Sequence, residues 1–249
     1  MTGSALMAGV FALGRKGLKA ARLSTTARWR SALRHGVAAT IEHDRLPLRR
    51  DYQTVIDVGA NRGQFSLYAR ERFPEAKIFS IEPLCGPRSR IEKLFGQDGQ
   101  VEILGFAAGA AGGAASLNVT QHDDSSSLLA PTTLQTTRFR GTDVTASERV
   151  AVRALDEALG GRPLARPALL KIDVQGFELE VLKGAGVLLR EIDAVLIECS
   201  FVEFYSGQAI FDDVYRMMGA HGFQLLGGVV SAATGSRWEQ GDFVFGRAA

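Results

Sequence analysis

Cysteine is nearly absent: only Cys85 and Cys199 occur in 249 residues. Neither belongs to a Cys-x-x-Cys pair, so a zinc site or a disulfide framework has no support, and the expectation is a reduced, cytoplasmic chain. Long apolar runs are absent as well. The stretch Ala5 to Leu13 is apolar but falls far short of the roughly 20 residues of a membrane span. Its positive charges follow it instead of leading it, unlike a secretory signal. No internal repeat is visible. Neither sign of charge dominates, with 29 Lys and Arg against 27 Asp and Glu.

That balance hides a segregation. Residues 1–50 hold ten basic side chains against Glu42 and Asp44, a net of +8, and the other 199 residues carry a net of −6. The acidic main part disfavours a phosphate-backbone partner, so nucleic acid is not expected. Residues 1–50 read as a basic, helical N-terminal arm. Leu6, Val10, Phe11, Leu13 and Leu18 lie near helical spacing with basic residues between and after them, an amphipathic pattern. The favoured reading is a helical face that covers the edge of the main domain. The alternative is peripheral contact with an anionic inner membrane surface.

From residue 51 to 249 the pattern is that of one domain. Thr54 to Val58 is a β-branched run ending at Gly59, a buried strand. Phe65, Tyr68, Ala69 and Phe73 follow at helical spacing, and Pro74 stops the helix. Lys77 to Ile81 is a strand, residues 88–95 are helical, and Val101 to Leu104 is a third strand. This alternation predicts a doubly wound α/β fold with a mostly parallel sheet. An interruption follows at about 114–154: a hairpin of strands at 114–119 and 149–154, joined by a polar loop in which 11 of 28 residues are Ser or Thr. A loop of that length is either functional or disordered. The α/β pattern then returns with strands at 169–173 and 194–199, helices at 177–183 and 210–218, and a closing antiparallel pair at 223–226 and 243–245.

Three motifs carry chemistry. Asp57-Val58-Gly59-Ala60-Asn61-Arg62-Gly63 joins a strand to a helix, at the place where doubly wound sheets bind ligands. Its glycines allow close approach to the backbone, and the helix start favours an anionic group. Glu82, at the end of the next strand, suits ribose hydroxyls. The turn lacks the middle glycine of G-x-G-x-x-G that admits a pyrophosphate, which favours S-adenosyl-L-methionine over NAD. Asp57 then suits the ammonium group of the methionine part. Lys171 and Asp173, two apart on one strand face, form a candidate ion pair at the cleft.

In this setting the chain resembles the FkbM family of methyltransferases. The matching segments run in order: DVGANRGQFSLYA (57–69), IEP (81–83), AAGAAGGAASL (107–117), SSSL (125–128), VAVRALDEAL (150–159), KIDVQGFELEVLKGA (171–185) and IEC (197–199). The resemblance implies a class I methyltransferase fold: a seven-stranded, mostly parallel sheet with a C-terminal antiparallel pair. It also implies methylation of a hydroxyl on a sugar, glycolipid or natural product, so the expected partner is a small-molecule or glycan acceptor. By the same resemblance Asp57, Gly59, Ala60, Asn61 and Gly63 cradle the methionine part, Glu82 binds ribose, Ala107 and Ala108 border the adenine, and Asp173 lies beside the reactive methyl. Position 110 is Ala where the family often has Asp, and position 175 is Gln where many relatives have Glu. The competing readings are an NAD-dependent oxidoreductase on the same sheet and a non-catalytic binding protein.

An alcohol needs a base to become a good nucleophile. Asp173 is the first choice and His122, in the polar loop, the second. Lys171 qualifies only if burial lowers its pKa, and Glu198 ends a strand at the same cleft edge. A metal held by His122, Asp123 and Asp124 is set aside, because consecutive side chains rarely converge on one ion. The polar loop is a candidate lid.

Overall fold

In the computed structural model residues 21–247 are described. The central strand β1 (Thr54–Val58) is buried along its whole length, as its β-branched run requires. It pairs in parallel with β2 (Lys77–Ile81) on one side and with β7 (Ala168–Ile172) on the other. The sheet order is β3-β2-β1-β7-β8-β10-β9, with β3 at Val101–Leu104 and β8 at Ala194–Ser200. β9 (Phe223–Thr234) and β10 (Arg237–Arg247) close it, β10 running antiparallel to both β8 and β9. This closing pair is much longer than the apolar cores of 223–226 and 243–245 indicated. Strand order reverses between β1 and β7, so their carboxyl ends open a crevice at a topological switch point.

Alternation along β1 divides the core. Ile56 and Val58 belong to one apolar layer with Leu170 and Ile172. Val55 belongs to the other, with Leu169 and Leu196. Helix α2 (Gln64–Arg72) buries Phe65, Leu67, Tyr68 and Ala69 in that second layer, and Pro74 follows its end. Helices α3 (Cys85–Phe95), α5 (Leu155–Leu159), α6 (Glu178–Lys183) and α7 (Phe211–Ala220) complete the alternation.

The described part of the basic arm is built into this second layer. Thr26 caps α1 (Ala27–Arg34), its side chain accepting from the Trp29 N–H. Trp29, Ala32, Val37, Ile41 and Leu46 are buried in one cluster with Val55, and the Trp29 indole donates to the Leu67 carbonyl at 3.3 Å. The arm's charges find the acids of the main domain and of its own turn. Arg28 pairs with Asp98 at 3.0 Å, and Asp44 takes both Arg22 and Arg72 at 2.5 Å. The uneven charge of the sequence is thus partly an internal complement. The amphipathic stretch at 6–18 lies outside the described residues. Among the described residues no helix is long and apolar enough to cross a membrane.

The insertion forms a second, small sheet of order β4-β6-β5, from β4 (Ala107–Ala108), β5 (Gly113–Thr120) and β6 (Val144–Arg153). The polar segment between β5 and β6 is ordered. It holds a short 3-10 turn (Asp123–Ser125), α4 (Thr133–Arg138), and the first residues of β6, which starts at 144 instead of 149. Its hydroxyls explain this. Ser127 Oγ accepts from Leu129 N at 3.0 Å, Thr120 Oγ1 donates to the His122 carbonyl at 2.6 Å, and the Thr132 side chain caps α4. Local side-chain to backbone bonds of this kind stand in for secondary structure.

Because Trp29 is fully buried and ties the arm to α2, Trp29→Ala should cost about 3–5 kcal/mol of stability. Urea unfolding of the two proteins would show it as a lower midpoint.

Candidate active site

The first wall of the crevice is set by a close backbone approach. Gly59 has φ 75°, and a Cβ there would stand 1.8 Å from the Asp173 carbonyl oxygen, so only glycine fits. Asn61 also takes a left-handed conformation, φ 48°. Its N–H donates to Glu82 Oε2 at 2.9 Å, while Glu82 Oε1 accepts from the Leu84 N–H at 2.9 Å. Burial pushes the Glu82 carboxyl up to about 7 against the pull of these two donors.

A cavity of about 240 Å³ opens here, lined by Gly59, Ala60, Asn61, Glu82, Ala107, Ala108, Lys171 and Asp173 among others. These are eight of the positions named from the sequence. Four others stand elsewhere. Gly63, φ 88°, forms the turn into α2 behind the wall. Asp57 is fully buried beneath the cavity, where Ser66 Oγ donates to its Oδ2 at 2.7 Å and Lys171 Nζ sits 3.3 Å from its Oδ1. It is therefore already engaged by protein groups and is not among the residues that line the cavity. The exposed His122 packs its ring over Gly141 and its N–H donates to the Gly141 carbonyl. The turn that follows swings Asp123 and Asp124 to the cavity instead. Glu198 reaches the cavity only through Gln175, as described below.

Lys171 is the centre of the charges. Its Nζ lies 3.3 Å from Asp57 Oδ1 and 3.5 Å from Asp173 Oδ2, and it donates to the Gly59 carbonyl at 3.2 Å. Burial opposes its charge, but the Asp57 and Asp173 carboxylates outweigh that and hold its pKa above the ordinary lysine range. A lysine base would need the opposite shift, so Lys171 is an ion-pair partner and not the base.

Gln175, given little weight in the sequence, organises the other side. It has φ 58°, a strained conformation for a residue with a side chain. Its Nε2 donates to Asp173 Oδ1 and to Glu198 Oε2, both at 2.8 Å. Its Oε1 accepts from the Tyr205 hydroxyl at 2.9 Å, its carbonyl accepts from Ser127 Oγ at 2.7 Å, and Gln135 Nε2 donates to the Tyr205 oxygen at 3.2 Å. Burial, together with Asp173, Asp242 and Glu178, raises the Glu198 pKa well above the usual carboxylate range. The segment after β5 thereby closes over the crevice. Asp124, Ser126, Ser127 and Leu128 line the cavity, and Asp123 Oδ2 takes Arg62 Nε at 3.0 Å and Nη2 at 2.9 Å. Thr40 and His43 of the arm also line it, a contribution with no local signal in the sequence.

A seven-stranded sheet of this order with a nucleoside-sized crevice at its switch point defines a class I S-adenosylmethionine-dependent methyltransferase. The Methyltransferase FkbM domain profile matches residues 57–225, and the chain belongs to that family. S-adenosylmethionine is its methyl donor, and the oxidoreductase alternative gives way. The chain is 31% identical over 195 residues to methyltransferase sdnD of Sordaria araneosa, covering 69% of this chain and 73% of that protein. It is 27% identical over 187 residues to Methyltransferase 1 of Beauveria bassiana, covering 70% and 73%. With the AMB antimetabolite synthetase AmbE of Pseudomonas aeruginosa it shares 28% over 204 residues, 69% of this chain, and spans only 9% of that protein. Among solved structures, the fibrillarin/Nop5p complex superposes with a TM-score of 0.50 at 16% identity, over 89% of this chain and 83% of that one, a likeness of fold alone.

Buried Glu178, whose Oε1 accepts from the Val174 and Gly176 N–H groups, is raised to about 7 by burial, as Glu82 is. A carboxyl raised on folding favours the folded state in its neutral form. That stability is complete below the ordinary value of 4.5 and is lost as pH rises toward 7. Between about pH 5 and 7.5 the ligand-free protein should lose stability, and Glu178→Gln should remove about 1–3 kcal/mol of the loss. Denaturant titrations at the two pH values would measure it.

Proposed function

We propose that this methyltransferase acts on a hydroxyl group of a sugar, glycolipid or related natural product, with Asp173 as the general base. The observation that carries the reading is the place of Asp173: at the carboxyl end of β7, on the cavity wall, with one oxygen already engaged by Gln175.

The donor's chemistry fits the residues present. Phe106, Ala107, Ala108, Leu117 and Leu128 give one end of the cavity apolar walls suited to an adenine ring. Glu82 keeps lone pairs beyond those used by Asn61 and Leu84, so it would hold the ribose hydroxyls. When bound, S-adenosylmethionine supplies a methyl group on a sulfonium sulfur, whose departure needs no acid.

What the protein adds is alignment of the acceptor and removal of its proton. Lys171 carries one positive charge between Asp57 and Asp173, which leaves one excess negative charge in the triad. Uptake of a proton at Asp173 relieves that excess. Gln175 Nε2 holds Oδ1 at 2.8 Å and Lys171 Nζ stands 3.5 Å from Oδ2, so the proton goes to a lone pair of Oδ2 that the looser Lys171 contact leaves open. Burial and the neighbouring carboxylates raise Glu198 well above the ordinary range, which opposes a further negative charge beside Asp173. The Ser126 hydroxyl and the carboxylate of Asp124 suit a polyol acceptor, and the segment that carries them, held to Gln175 through Ser127, excludes water.

Asp173→Asn should lower kcat by about 10²–10⁴ while calorimetry with S-adenosylhomocysteine shows little change in affinity. Methyl transfer from labelled donor to a panel of hydroxylated and aminated acceptors would decide the class of acceptor. Products methylated only on nitrogen would overturn this reading.

A further inference from the structure

Gln175 keeps a backbone conformation, φ 58°, that costs energy in any residue with a side chain. Its turn is held on both sides. Glu178 Oε1 accepts from the N–H groups that flank Gln175, those of Val174 and Gly176. A Cβ at Gly176 would stand 3.1 Å from the Cβ atoms of Tyr205 and Gln208, so the turn lies close against the segment after β8. Strain that persists at a cavity wall points to a task for the side chain it sets.

The Gln175 amide is engaged at both ends. Its two hydrogens meet two acids, Asp173 Oδ1 and Glu198 Oε2, each at 2.8 Å, and its oxygen faces the Tyr205 hydroxyl at 2.9 Å. The reversed amide would set its oxygen against the oxygens of both carboxyl groups. Tyr205 is also where the cover formed by the segment after β5 docks. The Tyr205 hydroxyl lies 3.0 Å from the Ser125 carbonyl oxygen, and Gln135 Nε2 donates to it at 3.2 Å. Burial, with Glu198 and Asp173 nearby, holds this phenol well above its ordinary range, so it keeps its proton. A chain of contacts thus runs from the cover through Tyr205 and Gln175 to Asp173. Around Asp173 and Glu198 stand the carboxyl groups of Asp57 on β1, Asp242 on β10, Glu178 on α6 and, near Tyr205, Asp124 of the cover, while Lys171 supplies positive charge. In that company a neutral donor steadies Asp173 without adding charge.

We propose that Gln175 is the positioning residue of the base and that Tyr205 sets it: with the cover docked, the Tyr205 hydroxyl fixes the amide so that its hydrogens hold Asp173 as an anion on the cavity wall. This rests on the reading of Asp173 as the base. The base is then ready only when the cover is in place, and proton removal is tied to the exclusion of water.

The test reads the proton on Asp173 in the full chain and needs no acceptor. Protein labelled with ¹³C-carboxyl aspartate is titrated by NMR, and the Asp173 signal is the one that Asp173→Asn lacks. Gln175→Met keeps the length of the side chain without its donors, and Tyr205→Phe keeps the ring without its hydroxyl. Gln175→Met should raise the midpoint of the Asp173 titration by about one pH unit, a tenfold gain in proton affinity. Tyr205→Phe should move it the same way by less. A role in folding alone would lower stability and leave the midpoint in place, so wild-type midpoints in both variants would overturn the proposal. A shift in Gln175→Met alone would overturn the part given to Tyr205. Turnover of Asp173→Asn judges the base reading separately: an active variant would sink that reading whatever the titration shows, and an inactive one with unmoved midpoints would sink this proposal alone.

Discussion

The structure turns on one buried cation. Lys171 stands at the carboxyl end of β7, beside β1, and its ammonium binds Asp57 below, Asp173 beside it and the Gly59 carbonyl above. Unpaired, each of these charges would be costly to bury. Held together, they fix the end of β1, the glycine turn and the end of β7 as one rigid unit. The 1.8 Å that a Gly59 Cβ would leave to Asp173 O measures how tightly that unit closes. The crevice owes its shape to this constraint. A pair of this kind adds more to definition than to stability, because desolvation offsets much of its Coulomb attraction.

Around that unit the cavity is assembled from segments far apart in the chain. The β2 end brings Glu82, which clasps the Asn61 backbone. The insertion after β5 brings a polar cover, latched to Arg62 through Asp123 and to Gln175 through Ser127 and Tyr205. The arm brings Thr40 and His43. Gln175 links the cover to the reacting centre, since its one amide holds Asp173, Glu198 and the Tyr205 hydroxyl together. The left-handed backbone at Gln175 is the strain that sets its side chain between them.

Much of this was legible in the sequence where the signal is local. The β-branched run at 54–58, the helical spacing at 65–73 with Pro74 beyond it, and the recurring strand–helix alternation gave the parallel sheet. The glycine turn and Glu82 gave the donor crevice, because those residues act through backbone geometry next to themselves. The Ser/Thr-rich segment was less readable. Its composition fits disorder equally well until its hydroxyls are seen bonded to its own backbone and to Gln175. Asp57 was assigned to the ligand because its position in the motif allows it. Its pairing with Lys171, 114 residues away in the chain, is visible only in the fold.

The sequence by itself determined the fold, the family and the donor, since periodicity, turn chemistry and ordered motifs are properties of neighbouring residues. Only the tertiary structure decided which titratable groups meet. It set His122 outward and His43 inward, and it kept Lys171 charged between two carboxylates. It also placed Gln175 as the hinge of a network that no single segment contains. Strand pairing and burial fix those outcomes, because the electrostatic environment of a side chain comes from residues that only the folded sheet brings within a few ångströms.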